Sequence, residues 1–307
     1  MKLYPLRLIP DNTNINFMNK KMKAFFITGL LVVFSIAYIG FFKLNFGIDF
    51  TGGILIEART EQHIDIAKLR SSLTHALKTE ISLQSASENN DIMIRIASNK
   101  NANEHQQMQE VSKIKQVIED NIQDNNIEYR KVDFVGPQVG KQMINNGIIA
   151  VILAFVAIMF YVWVRFEWQY SIGIVLALIH DVIVSVGFMS VMGLEFNQTS
   201  LAAILTIVGY SVNDSVVIYD RIRENFRKYK KLSLNALLNL SINETLSRTI
   251  LTVLTTLLSA LSLVLFGGEA LRSFSLVVFF GIVVGTYSSI YISAPVLTFF
   301  KLKGTNV

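Results

Sequence analysis

Apolar residues along this chain gather into six long runs. The runs are separated by short polar segments and by one long polar stretch, residues 45–141. A helix that crosses a bilayer needs about 20 mostly apolar residues at a rise of about 1.5 Å each. Six segments meet that demand: Ala24–Phe42, Met143–Val164, Tyr170–Met192, Asn197–Tyr219, Thr249–Phe266 and Ser273–Phe300. The fifth is short as written, and its helix is expected to begin near Ser241. The sixth has room to tilt. The first is read as a retained span: its apolar run is too long for a signal peptide, and Lys43-Leu44-Asn45-Phe46 offers no small-residue cleavage site. The fold class that follows is a polytopic α-helical membrane protein with six transmembrane helices and one domain outside the membrane, residues 43–141.

The polar stretch has its own periodicities. Gly53–Arg59 reads as a strand. In Ile64–Lys78, Ile66, Leu69, Leu73 and Leu77 recur at helical spacing. Ile81–Ser85 and Asp91–Ala97 read as strands joined by the polar turn Ser87-Glu88-Asn89-Asn90, with Ile92, Ile94 and Ile96 alternating in the second. Glu104–Ile122 is a second amphipathic helix and Ile127–Val135 a last strand. The order βαββαβ predicts an α+β, ferredoxin-like domain with two helices on one face of a four-stranded sheet. His63, His75 and His105 are scattered over polar positions and read as surface residues. No paired acids, metal cluster or nucleophile–base set stands out, so a binding or docking module fits better than an enzyme.

Composition supports the membrane reading, since 51% of residues are hydrophobic and only 17% charged. There are no cysteines, which excludes disulfides and thiolate metal sites. The net charge of +5 is divided. Residues 45–141 hold 14 acidic and 11 basic side chains, and the remainder 9 acidic and 17 basic. The basic excess lies in short segments beside the spans, which is a topology signal and not a nucleic-acid surface. Lys20, Lys21 and Lys23, then Arg165, then the basic segment 220–248, and finally Lys301 and Lys303 all fall on one side if both termini (1–23 and 301–307) are cytoplasmic. Residues 43–141 are then extracytoplasmic. Trp163 and Trp168 flank the tight loop between the second and third spans, as interfacial tryptophans do. The stretch Asp220–Leu240 reads either as a basic amphipathic segment lying on anionic lipid or as a positive-inside anchor.

Ionisable residues at membrane depth mark candidate chemistry. His180 and Asp181 fall about 15 Å into the third span, near the midplane. Asn213 and Asp214 lie in the fourth span, with Asp214 roughly 8 Å inside one face. Arg248 opens the fifth at a comparable depth and is expected to reach Asp214. Carboxylate, imidazole and guanidinium together suit a proton path, although the same set also fits a static clamp between helices. One charge crossing the membrane field is worth about 2.3 kcal/mol per 100 mV, enough to drive a conformational cycle. No GxxxxGK[ST] loop is present, so ATP hydrolysis by this chain is not expected, and it reads as a proton-coupled transport subunit and not an enzyme. Gly281 and Gly285 form a GxxxG, with Ser288 and Ser289 following, and are expected to pack closely on another helix. Gly267-Gly268 and Pro295 are read as shaping a loop and a helix bend.

Several of these segments, in this order, resemble the SecD/SecF family of the bacterial Sec protein-export machinery, on its SecF side. They are Gly47-Ile48-Asp49-Phe50-Thr51-Gly52-Gly53 after the first span, Val135-Gly136-Pro137-Gln138-Val139-Gly140 before the second, and His180-Asp181 in the third. Gly209-Tyr210-Ser211-Val212-Asn213-Asp214-Ser215 leads into Asp220-Arg221-Ile222-Arg223-Glu224-Asn225-Phe226. Glu244-Thr245-Leu246-Ser247-Arg248-Thr249, Leu265-Phe266-Gly267-Gly268 and Gly285-Thr286-Tyr287-Ser288-Ser289-Ile290-Tyr291 complete the set. The resemblance implies the resistance-nodulation-division (RND) superfamily and the cytoplasmic (inner) membrane of a bacterium. It implies SecD as partner, association with the SecYEG channel and with YajC and YidC, and unfolded preprotein as substrate. It implies the proton-motive force as energy source for late steps of export, with no cofactor, metal or nucleic acid. Asp214 and Arg248 are then the proton-path residues, with Asn213, His180 and Asp181 beside them. Asp49, Gly52 and Gly53 form the motif at the base of the external domain. A half of an RND efflux pump and a purely structural translocase subunit are the competing readings.

Overall fold

The computed structural model describes residues 13–60, 65–77, 81–86, 91–96, 104–121 and 127–300. In chain order its elements are α1 (Lys21–Phe42), β1 (Asn45–Phe46), α2 (Ile48–Thr51), β2 (Gly53–Arg59), α3 (Ile66–Leu77), β3 (Ile81–Ala86), β4 (Asp91–Ile96), α4 (Glu104–Asn121) and β5 (Glu128–Val135). There follow α5 (Pro137–Arg165), α6 (Trp168–Val191), β6 (Glu195–Phe196), α7 (Gln198–Lys228), α8 (Leu234–Phe266), α9 (Gly268–Ser288), a π-helical segment (Ser289–Ser293) and α10 (Ala294–Val296). The chain divides into two compact units. One holds Phe46–Ile149, and the other holds the chain up to Asn45 and from Ala150 onward.

In the first unit, four strands form one sheet in the order β3-β4-β2-β5, and every neighbouring pair is antiparallel. The register sets Ile54 opposite Ile96, Ile56 opposite Ile94 and Ala58 opposite Ile92. Alternate residues share a face of a strand. These six side chains therefore line one face, and all are buried with Leu69 and Leu73 of α3 and Ile114 and Ile118 of α4. Ile92, Ile94 and Ile96 thus face the helices, as their alternation implies. Gly53 enters the sheet at φ 140°, where a Cβ would run into the carbonyl of Ile96. Only glycine combines that dihedral with that approach. His75 is exposed. His63 and the turn Ser87–Asn90 lie outside the described residues, as does the side chain of His105.

The second unit contains helices long and apolar enough to cross a membrane: Met18–Phe42, Trp168–Val191, Gln198–Lys228, Leu234–Phe266 and Leu271–Phe299, together with the later part of Gln138–Arg165. Trp168–Val191 and Leu271–Phe299 are the most buried and form the interior, whereas α1 and α5 turn almost all of their apolar surface outward. The core joins Ile174 and Leu178 of α6, Val208 and Ile222 of α7, Leu238 of α8 and Ile290.

Two observed boundaries differ from those read in the sequence. The polar segment 220–248 is mostly helix: α7 continues to Lys228 and α8 begins at Leu234, so that only Tyr229–Ser233 lies between them. Apolar runs stop at charged residues, but a helix does not when one stripe stays buried. Here Ile222, Leu237, Leu238 and Ile242 supply that stripe. Polar contacts reinforce it. Arg221 Nε donates to Glu244 at 2.7 Å, and Asn225 Nδ2 donates to Glu244 at 2.6 Å and to Ser241 Oγ at 3.0 Å. The stretch is therefore a packed helical hairpin. The last span is likewise not one uninterrupted α-helix. Pro295 has no N–H, and its ring crowds the carbonyl four residues earlier. The π-helical segment Ser289–Ser293 widens the turn there.

Candidate functional site

A close approach of α9 to α7 and α6 places the polar residues. A Cβ on Gly281 would overlap the Ile207 side chain of α7, and one on Gly285 would lie 3.3 Å from Ser211 Cβ and 3.7 Å from Asp181 Oδ2. The two glycines let the α9 backbone come down onto α7 and α6. One turn further, Ser288 and Ser289 reach two different carboxylates.

The first carboxylate is Asp181 of α6, fully buried. Its Oδ2 accepts from Ser211 Oγ at 2.6 Å and from Ser288 Oγ at 2.7 Å, and its Oδ1 faces His180 Nδ1 at 3.0 Å. The other imidazole nitrogen, Nε2, is buried with no hydrogen-bond partner among the described residues. The second carboxylate is Asp214 of α7, also buried. Its Oδ1 accepts from Thr249 Oγ1 of α8 at 2.7 Å, and its Oδ2 accepts from Ser289 Oγ. Consecutive serines at the α-to-π junction thus hold carboxylates of two helices, and the site draws on α6, α7, α8 and the last span. A hydroxyl can donate to a carboxylate or accept from a carboxylic acid. Both cages therefore serve either protonation state.

The expected direct pairing of Asp214 with Arg248 is not present. Arg248 is exposed, and among the described residues no hydrogen bond or ion pair joins it to Asp214. The reason is geometric. Neighbouring residues of an α-helix point about 100° apart, and it is Thr249 that faces Asp214. Arg248 adjoins Thr249, so the same turn of α8 that donates to the carboxylate also carries the guanidinium. Asn213, next to Asp214, is likewise turned outward and exposed.

Sequence reasoning missed the hydroxyls. Thr249 and Ser211 carried no signal of charge, and Ser288 and Ser289 were read as small packing residues. Their spacing from Gly281 and Gly285 puts them on the same helix face, which is the cue that finds them.

The motif residues Asp49, Gly52 and Gly53 lie in the other unit. Asp49 sits in the short turn α2, and Gly52 takes φ 72° at its end. A Cβ on Gly140 would come within 3.0 Å of Phe50 O and 3.1 Å of Gly52 N, so α5 starts tight against this turn. Nearby, the Lys131 ammonium is held above its ordinary range. Partial burial opposes its charge, but the hydrogen bond to Asp133 and the fields of Glu57 and Asp49 outweigh that.

Residues 113–303 match the family model described as protein export membrane protein SecD/SecF, C-terminal, and residues 37–62 match the SecD/SecF GG motif. The chain belongs to the SecD/SecF family. It is 55% identical over 303 residues to the protein translocase subunit SecF of Rickettsia bellii (strain OSU 85-389), covering 99% of each chain. It is 55% identical over 306 residues to that of Rickettsia rickettsii (strain Sheila Smith), covering 100% of this chain and 98% of the relative. Among solved structures it is similar to SecDF of Thermus thermophilus, a translocon-associated membrane protein, at 34% identity and a TM-score of 0.83. That match covers 96% of this chain and 39% of the SecDF chain. The super-membrane-facing form of SecDF matches with a TM-score of 0.69. The SecD/SecF GG motif includes Asp49, Gly52 and Gly53, and the C-terminal model spans both buried carboxylates.

Proposed function

We propose that this SecD/SecF-family chain is an auxiliary subunit of the Sec protein translocase. With SecD, it uses the proton-motive force to promote late steps of preprotein export. It sits in the bacterial inner membrane with both termini cytoplasmic, beside the SecYEG channel and with YajC and YidC as further neighbours. Its βαββαβ, ferredoxin-like unit faces the other side, where it meets unfolded preprotein. The observation that carries this reading is the pair of buried carboxylates in hydroxyl cages.

Asp214 is the proton carrier. Burying a charge is expensive unless it is paired, and among the described residues the hydrogen-bond partners of Asp214 are the hydroxyls of Thr249 and Ser289. Protonation removes the charge without dismantling the cage, since Thr249 and Ser289 can accept as well as donate. Arg248, next to Thr249 on α8, supplies a positive charge that favours the anion after release without a direct bond to lock it. Asp181 and His180 form a second station on the same serine pair. SecD, which is not part of this chain, supplies the rest of the path.

Preprotein translocation into inverted membrane vesicles tests the proposal. Vesicles that contain the chain should show stimulation that an uncoupler abolishes. Vesicles depleted of it should show none, and the chain added back should restore it. Stimulation that survives the uncoupler would mean a structural role only.

A further inference from the structure

A cleft rich in cationic side chains lies away from the buried carboxylates. It is a cleft of about 460 Å³ lined by Arg165, Asp220, Arg223, Glu224, Arg227 and Lys228. Arg165 is the last residue of α5, and the other five lie on the last turns of α7. Its two carboxylates are already engaged. Asp220 takes Arg165 at 3.0 Å, and Glu224 takes Arg221 at 2.6 Å. Arg221 itself is fixed on Glu244 at 2.7 Å and does not line the cleft. Three lining cations are left, Arg223, Arg227 and Lys228, and among the described residues none of them forms an ion pair. The nearest polar contact of Arg223 is a long 3.4 Å bond to the Arg165 carbonyl, and Lys228 lies over the Tyr229 ring at 5.1 Å.

Three unpaired cations around one opening repel each other, and a bound anion relieves that repulsion. Guanidinium groups present a planar fork that matches phosphate oxygens. The position selects the kind of phosphate. The cleft opens where α5 ends, and Trp163 and Trp168 stand on either side of that end at 60% and 53% exposure. Exposed tryptophans of this kind sit at headgroup level, and basic pockets between spans at that level take anionic headgroups. We propose that the cleft between the end of α5 and the end of α7 binds the phosphate of an anionic phospholipid headgroup. This rests on the membrane-spanning fold alone and not on the proton-carrier reading. An occupied cleft ties the α5 end to the α7–α8 hairpin, so that bound lipid braces the helix that carries Asp214.

The test is lipid retention by the full chain, purified in detergent and supplied in turn with phosphatidylglycerol, phosphatidylcholine or inorganic phosphate, read by native mass spectrometry. Phosphatidylglycerol should be retained in preference to phosphatidylcholine. Arg223→Gln combined with Arg227→Gln should lower its retention by about tenfold, the scale of losing charge-assisted bonds to one phosphate. Lys230→Gln combined with Lys231→Gln removes the same charge outside the cleft and should change retention by less than about twofold, because exposed charges are screened. Equal losses in the two pairs would overturn the site in favour of diffuse attraction. Displacement of the lipid by an equal concentration of inorganic phosphate would reassign the cleft to a free ion. Arg227→Lys keeps the charge and removes the fork. It should weaken retention with the lipid-free melting temperature unaltered, and unaltered retention would contradict the proposal.

Discussion

Among the described residues, serine and threonine hydroxyls donate to both buried carboxylates of the membrane unit. For Asp214 the donors are Thr249 and Ser289, and for Asp181 they are Ser211 and Ser288, with His180 beside it. Thr249→Val keeps shape and removes the hydroxyl. A lost hydrogen bond to a charged group costs about 1.5–3 kcal/mol, so gradient-dependent export should drop by an order of magnitude, and Thr249→Ser should restore most of it. Undiminished export in Thr249→Val would show the cage to be irrelevant. The acids were legible from sequence because a carboxylate in an apolar run is conspicuous. Their true neighbours were not, because Ser and Thr are ordinary in membrane helices and only the packing reveals which way each turns. Arg248 illustrates the difference: its depth was readable, but its direction, set by the neighbouring Thr249, was not.

Among the elements, the contact of α9 with α7 and the small sheet carry the most specific expectations. Gly281→Leu forces a large side chain onto Ile207. Overpacking of this kind costs about 1–3 kcal/mol or more. The melting temperature in detergent should fall, and adding Ile207→Ala should recover part of the loss. No recovery would place the clash elsewhere. In the other unit, Ile94 is fully buried beneath α3 and α4. Ile94→Ala should destabilise that unit by about 2–5 kcal/mol, read by urea unfolding through a label on Lys113→Cys. The same measurement has a pH dependence. Tyr129 is pushed above its ordinary value by burial and by the charge and hydrogen bond of Glu119, and Lys131 is also raised. Groups with raised folded-state values give stability that is complete below their unfolded values, 10.0 and 10.5, and is lost as pH climbs past them. The unit should therefore weaken above about pH 10, and less so in Tyr129→Phe. The strands and helices here were readable within a residue or two, because period-2 and period-3.6 patterns were clean. The ends of α7 and α8 were not, because the pattern changes from wholly apolar to amphipathic within one continuous helix. The π-helical segment had only Pro295 as its signal.

For the whole molecule, the proposed topology has the polar unit and the α7–α8 hairpin on opposite sides of the membrane. Lys113→Cys and Lys230→Cys are both at exposed positions in a chain without other cysteines. An impermeant thiol reagent should label the first only from outside intact cells and the second only after the inner face is opened. Labelling of both from one side would overturn the topology. The central claim is that Asp214 changes charge during the transport cycle. Asp214→Asn preserves size and hydrogen-bonding capacity but cannot lose or gain the proton. Measured in inverted vesicles with a proton gradient, the variant should be present and assembled at wild-type levels, yet its stimulation of preprotein export should fall to that of vesicles lacking the chain. Full gradient-dependent stimulation by Asp214→Asn would contradict the account and make Asp214 a structural residue.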